Sequence, residues 1–186
     1  LEKVCEHLHL PVQAGSDDVL HRMNRGYNRE YYLGLVGKIR EYVPDISLTT
    51  DIMVGFPGET EADFADTLAL VEQVRYDSAF TFIYSPRKGT PATKMAEQVP
   101  EQVKKERIYQ LIELQNRISL ERNTQLIGSE QEVLVEGTSK GNPQMLAGKT
   151  RTAKTVLFSG NETLIGKLIT VKIKGAQTWS LMGEMV

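Results

Sequence analysis

One cysteine, Cys5, stands in a chain of 186 residues. A lone thiol forms no internal disulfide and cannot build an all-cysteine metal site within the chain. No apolar run approaches the roughly 20 residues that a membrane-spanning helix needs. No secretory signal opens the sequence, so the expected setting is cytoplasmic, without a membrane partner. Neither sign of charge dominates: 22 Lys and Arg face 24 Asp and Glu, for a net charge of −2. That balance removes any global basic signal for nucleic acid. At 25% charged and 40% hydrophobic residues, the composition is that of an ordinary globular protein. The length suits one large domain, or a medium and a small one.

The charge is unevenly placed. Residues 128–186 carry a net +2 and the remainder −4. The opening residues, 1–7, run into a strand pattern without a cap or start signal, so the chain reads as beginning in mid-domain and as a fragment.

The organising stretch is 46–64. Residues 46–54 are rich in β-branched and apolar types, which suits a buried strand. Gly55, Pro57 and Gly58 then break regular structure, and Thr60 with Asp63 has the spacing of a capping box. A turn with two glycines ahead of a helix lets backbone approach a ligand closely. Side chains alternate along a strand, so Ser47, Thr49 and Asp51 share one face and Ile46, Leu48, Ile52 and Val54 the other. A polar row ending in a carboxylate suits a wet lumen or a ligand site. It equally suits an Asp51 that pairs with a nearby cation and only holds structure.

Two further strands with distinctive loops accompany it. His7–Gln13 alternates, then Gly15, Ser16 and an acidic pair lead into a short helix to about Met23. His7 and His9 share a face, but two histidines without a third ligand make a poor metal site; a structural or substrate-facing role fits better. Asn28 caps a helix to about Tyr42, and Thr60 opens one to about Arg75. Ser78–Tyr84 is a third strand, followed by a loop fixed by Pro86, Gly89 and Pro91, with Arg87 and Lys88 at its tip. Plain solvation accounts for Lys88. Strand–turn–helix units in series predict parallel strands whose ligands bind at the C-terminal strand ends. Gln13, Gly15 and Ser16, the Gly55–Gly58 turn, and Ser85, Arg87 and Thr90 converge there.

Pro100 opens a long helix that Gly128 stops. Beyond Glu130 come short alternating runs at 131–136, 155–159, 168–174 and 181–185, punctuated by glycines. This predicts a small all-β sandwich or barrel. Lys140, Lys149, Arg151 and Lys154 fall in an acid-free stretch of it. Small barrels with a basic face bind RNA, and four charges are also what a solvated surface carries.

His9-Leu-Pro-Val-Gln-Ala-Gly-Ser-Asp17, Thr50-Asp-Ile-Met-Val-Gly-Phe-Pro-Gly-Glu-Thr60 and Tyr84-Ser-Pro-Arg-Lys-Gly-Thr-Pro-Ala92 together resemble the later strands of the radical S-adenosylmethionine methylthiotransferases. Val135-Glu-Gly-Thr-Ser139 and Gly148-Lys-Thr-Arg151 resemble that family's TRAM domain. The resemblance implies the C-terminal portion of a radical SAM (β/α) partial TIM barrel over residues 1–127 and a TRAM domain of OB-like, all-β type over 128–186. It implies S-adenosylmethionine and two 4Fe-4S clusters in the full-length enzyme, tRNA as partner, and a reducing partner such as flavodoxin or ferredoxin. In such an enzyme a 5′-deoxyadenosyl radical abstracts hydrogen from C2 of an isopentenylated adenosine beside the anticodon, and a methylthio group is installed. The family's Cys-x-x-x-Cys-x-x-Cys loop has no counterpart in these residues, so the clusters' ligands are expected to be absent and the chain alone inactive. By position, Gln13, Ser16, Asp51, Gly55, Phe56, Pro57, Gly58, Arg87 and Thr90 match the cofactor edge, and Lys140, Lys149, Arg151 and Lys154 the RNA-binding face. Sister enzymes acting on threonylcarbamoyladenosine in tRNA or on a ribosomal-protein aspartate, and a non-catalytic RNA-binding protein, are the competing expectations.

Overall fold

The computed structural model describes residues 3–186. Its contacts gather into two units, one over residues 8–118 and one over residues 119–186 with the described residues up to His7.

From Leu8 onward the first unit holds a three-stranded sheet, β1 (His7–His9), β2 (Ser47–Val54) and β3 (Ser78–Ile83), in that order. Strands β2 and β3 run parallel, with Asp51 opposite Phe80 and Met53 opposite Phe82. The connections are helical: α1 (Asp17–Arg22) and α2 (Arg29–Tyr42) lead from β1 to β2, and α3 (Glu61–Val74) from β2 to β3. Each of these three helices begins at a polar cap, which the sequence foretold for Asn28 and Thr60. Ser16, Asn28 and Thr60 accept hydrogen bonds from Val19, Tyr31 and Asp63 N–H groups respectively. At α3 the box is reciprocal, because the Asp63 carboxylate accepts from the Thr60 N–H at 2.8 Å. Capping of this kind satisfies donors that a helix start otherwise leaves orphaned.

One face of the sheet is the core. Leu48, Ile52 and Val54 of β2 are fully buried, packed with Tyr32 and Val36 of α2, Phe64, Leu70, Val71 and Val74 of α3, and Ile108 and Leu111 of α4 (Glu101–Thr124). The other face carries His9, Thr49, Asp51 and the exposed rings of Phe80 and Phe82.

The first strand is shorter than the His7–Gln13 expected. Pro11 has no N–H to give a ladder, and the Val12 N–H turns to the Thr50 hydroxyl at 2.9 Å. Gln13 rejoins the sheet by a parallel bridge to Ile52 with a φ of 73°, a left-handed conformation that costs a non-glycine residue roughly 1–2 kcal/mol.

The second unit is a closed five-stranded barrel. Its strands are β4 (Glu130–Thr138), β5 (Leu146–Thr150), β6 (Thr155–Phe158), β7 (Leu168–Ala176) and β8 (Leu181–Met185), in ring order β4-β5-β6-β8-β7. Val133, Val135, Leu146, Val156, Phe158, Val171, Ile173 and Leu181 fill it. The alternating runs foretold four strands; β5 lies in the acid-free stretch between the first two of them, where no strand is foretold. Its sequence, Leu-Ala-Gly-Lys-Thr, lacks aromatic and most β-branched signal. Gly148 belongs in it because a Cβ there would meet the Leu134 carbonyl oxygen of β4 at 2.5 Å.

Candidate functional site

The C-terminal ends of the three parallel runs in the first unit surround a cavity of about 750 Å³. Gln13 enters it from the end of the first run, Asp51 and Met53 from β2, Phe82 and Ile83 from β3, and Tyr84, Ser85, Arg87 and Thr90 from the loop beyond β3. Phe56 contributes from the glycine turn, and Arg22, Met23 and Asn24 from the end of α1. Adjacent walls are locked by backbone bonds. Gln13 N–H donates to the Asp51 carbonyl at 2.9 Å and Tyr84 N–H to the Val54 carbonyl at 2.9 Å. Phe56 meets Tyr84 edge-on at 5.2 Å between centroids. Thr90 folds its own loop, its hydroxyl donating to the Arg87 carbonyl at 2.8 Å.

The turn between β2 and α3 is held from inside. Gly55 and Gly58 both have left-handed φ, at 74° and 82°, so the path requires residues without a Cβ. The Gly55 N–H donates to Glu59 Oε2 at 2.6 Å, and Arg107 Nη1 of α4 donates to the same oxygen at 2.8 Å. Arg107 also donates to the Glu59 carbonyl at 3.1 Å. The Glu59 carboxylate is completely buried and the Arg107 guanidinium 6% exposed. Burial pushes Glu59 above the usual carboxylate range, against the Gly55 N–H and Arg107, which favour its charge. Lys104, one turn before Arg107, lies against Gly55 with its ammonium 5.6 Å from the Tyr84 ring centroid. Sequence reasoning gave Glu59, Lys104 and Arg107 no role. The detectable signal was two cations three residues apart among the apolar positions of α4.

Five of the nine expected cofactor-edge residues, Gln13, Asp51, Phe56, Arg87 and Thr90, line the cavity. The other four support it. Pro57 is buried in the turn, and Gly58 lines a separate cleft of about 400 Å³ with Arg22, Glu97 and Arg107. Gly55 faces Lys104. Ser16, 3% exposed, donates its hydroxyl to Asp63 Oδ1 at 2.5 Å and caps α1, so its contacts are structural. Asp51 is read in both of its senses at once. It lines the cavity, and it lies 3.4 Å from His9 Nε2. His9 Nδ1 in turn sits 2.9 Å from the Thr49 hydroxyl, so the histidine bridges the polar row of β2.

The four basic residues of the barrel are not one free cluster. Lys140 is exposed after β4. Arg151 grips Glu6 through Nε and Nη2, each at 2.8 Å, and donates to the Val4 carbonyl. That grip holds the Glu6 carboxyl below its ordinary range. Lys149 Nζ donates to the Thr155 hydroxyl at 2.8 Å, and Lys154 Nζ to Asn123 Oδ1 at 2.8 Å.

The groups that the resemblance implies can be set against these residues. S-adenosylmethionine offers a purine, ribose hydroxyls, a sulfonium and an amino-acid end. Met53, Phe56, Ile83, Tyr84 and Met95 supply an apolar wall beside the carboxylate of Asp51, the amide of Gln13, the hydroxyls of Ser85 and Thr90, and the guanidinium of Arg87. The donor set fits that cofactor class, an apolar pocket with a few convergent polar groups. A 4Fe-4S cluster needs several thiolates. Cys5 is exposed, and no group of three or more His, Cys, Asp or Glu among the described residues could hold a metal ion. The described residues do not fit a cluster.

Comparison with known proteins follows the same division. The Radical SAM superfamily model matches residues 1–71, and the TRAM domain model residues 124–186. A tRNA-2-methylthio-N(6)-dimethylallyladenosine synthase of Moorella thermoacetica is 60% identical over all of this chain, which covers 42% of that protein. One from Carboxydothermus hydrogenoformans is 61% identical over 99% of this chain and 42% of its own length. The chain thus spans about two fifths of the curated relatives it matches. Among solved structures, coproporphyrinogen III oxidase (HemN) from Escherichia coli, a radical SAM enzyme, superposes with a TM-score of 0.53 at 19% identity, over 78% of this chain and 41% of that one. That likeness speaks to fold alone. From end to end, at about 60% identity and with Radical SAM and TRAM matches in this order, the chain is thus similar to part of these tRNA-2-methylthio-N(6)-dimethylallyladenosine synthases.

Proposed function

We propose that this chain supplies the S-adenosylmethionine cavity and the RNA-docking barrel of a tRNA methylthiotransferase, one that adds a methylthio group to C2 of N6-isopentenyladenosine next to the anticodon. The barrel portion is assigned to residues 1–127 and the TRAM domain to 128–186. The observation that carries the reading is the cavity itself, in which Gln13, Asp51, Phe56, Arg87 and Thr90 meet at parallel strand ends. S-adenosylmethionine, when bound, supplies the radical chemistry and the methyl group. Asp51 and Gln13 are assigned to its polar end or ribose, Phe56 and Met53 to the purine, and Arg87 and Thr90 to the loop that closes over it. Glu59, Arg107 and Lys104 hold the turn that presents Phe56. The cluster ligands, tRNA and a cytoplasmic reductant such as flavodoxin or ferredoxin belong to the whole enzyme.

The test is cofactor binding by the full-length enzyme with its clusters in place, read apart from turnover and without tRNA. Titration calorimetry with S-adenosylmethionine is expected to give saturable binding. Asp51→Asn is expected to weaken it about 10-fold or more, since hydrogen bonds to charged groups contribute about 1.5–3 kcal/mol. Melting should barely change, because Asp51 and His9 are both partly exposed and such pairs add at most about 1 kcal/mol. An Asp51→Asn chain that melts much earlier yet binds the cofactor normally would make Asp51 structural.

A further inference from the structure

Trp179 is the chain's one tryptophan, and 78% of its surface is exposed. Tryptophan is highly buried on average, so a ring held out in water is the informative exception. This ring sits on a braced tip. The β7–β8 hairpin closes with the Gln177 N–H on the Ser180 carbonyl at 2.8 Å, and the Ser180 hydroxyl meets Gln177 Oε1 at 3.1 Å. Asn123, 5% exposed near the end of α4, donates its amide to the Gln177 carbonyl at 2.8 Å and the Thr178 carbonyl at 3.1 Å. Two of the four tip residues therefore have their carbonyls tied to one buried side chain, directly before the tryptophan.

The same asparagine orients a cation. Its Oδ1 accepts from Lys154 Nζ at 2.8 Å. Lys154 precedes by two residues Val156, whose partner in the parallel β6–β8 pair is Leu181, two residues after Trp179. The register thus brings Lys154 and Trp179 to the same end of adjacent strands. Lys149 reaches that end too, its ammonium on Thr155. An exposed aromatic on a braced hairpin tip, at the same strand end of a small closed barrel as two oriented ammonium groups, brings together the two elements of single-strand recognition, a π face for a base and cations for the backbone.

We propose that Trp179 is a stacking platform for an unpaired RNA base, with Lys154 and Lys149 meeting the phosphates beside it. This rests on the reading of the barrel as an RNA-docking unit and adds a base contact to what was otherwise a purely electrostatic face.

A single tryptophan makes the test direct. The 186-residue chain is titrated with a short RNA hairpin bearing a single-stranded, adenine-containing loop, with a blunt RNA duplex, and with inorganic polyphosphate, while tryptophan emission and affinity are followed at several salt concentrations. The hairpin is expected to quench emission saturably, and polyphosphate to leave it unchanged. Trp179→Ala should weaken hairpin binding roughly 5- to 150-fold, the equivalent of about 1–3 kcal/mol for one stacked base, without altering the salt slope. Trp179→Phe should recover most of the loss. Lys154→Ala should instead lower the slope by about one unit. Hairpin binding with unchanged emission, and equal affinity for Trp179→Ala, would overturn the platform while leaving RNA docking intact. No binding of any RNA at low salt would overturn both. An emission shift that grows with protein concentration and needs no RNA would mean that a second copy covers the ring, which also defeats the proposal.

Discussion

At the scale of single residues, the cavity depends on groups that never touch it. Glu59 and Arg107 are both out of water, and each leaves one atom, Glu59 Oε1 and Arg107 Nε, without a hydrogen-bond partner among the described residues. A buried pair of this kind contributes little by existing and costs much when half of it is removed. Arg107→Met is expected to destabilise the first unit by about 3–5 kcal/mol, and Glu59→Gln with Arg107→Met by clearly less. A double-mutant cycle in urea measures this. Additive losses would mean that the two side chains act independently and that the turn is held by its backbone. Lys149, Arg151 and Lys154 carry a related lesson. Read as sequence they form one basic run, yet Arg151 is spent on Glu6 and Val4. An Arg151→Ala chain would therefore report on packing as well as on RNA, whereas exposed Lys140 would report on charge alone.

At the scale of elements, caps and glycine turns were the legible part. Asn28 and Thr60 start their helices where the sequence placed their caps, because capping is local chemistry that five residues can specify. What stayed hidden was long-range. Strand β5 exists because β4 and β6 flank it, and nothing within Leu146–Thr150 announces that. The cavity's location followed from parallel strand ends, but its walls at Met53, Phe82 and Tyr84 required the β2–β3 register. Ser16 looked like a ligand residue because it lies in a loop at that edge. Only the fold shows Asp63 of α3 standing beside it.

That α3 start also has a pH signature. Burial would raise the Asp63 pKa, but hydrogen bonds from the Ser16 and Thr60 hydroxyls and the Thr60 N–H outweigh it, and the pKa lies below its ordinary value. A carboxylate with a lowered folded pKa adds stability that is present above the unfolded value, about 3.9, and is lost as pH falls through the folded one. Asp63→Asn should thus destabilise the chain at neutral pH by roughly 1–3 kcal/mol and flatten the acid limb below about pH 4. Parallel urea midpoints at pH 3 and 7 decide it. An unchanged acid limb would place the responsible carboxylate elsewhere.

At the scale of the whole molecule, the two units treat their strand edges in opposite ways. In the sheet of the first unit β3 lies at one margin, and Phe80 and Phe82 stand 60% and 48% exposed on it. Unpaired edges with apolar neighbours invite pairing with other chains. The isolated 186-residue chain is expected to self-associate as its concentration rises, and Phe80→Lys with Phe82→Thr to suppress this. Sedimentation of both across a concentration series checks it, and a monomeric parent chain at every concentration would contradict it.

The barrel has no such margin, and the reason lies in one strand. Ring order runs β6-β8-β7, so β8, only five residues long, is the piece that joins the two ends of the sheet. Loss of residues 181–186 would not shorten the barrel but unlock it, freeing β6 and β7 together and withdrawing Leu181 from the core. Closure here behaves as a latch: amides across the β6–β8 seam should exchange with solvent at the rate at which the entire ring opens, not at the rate of local fraying. The five strands would then gain or lose their protection as one cooperative event, governed by the stretch of chain that is made last among them.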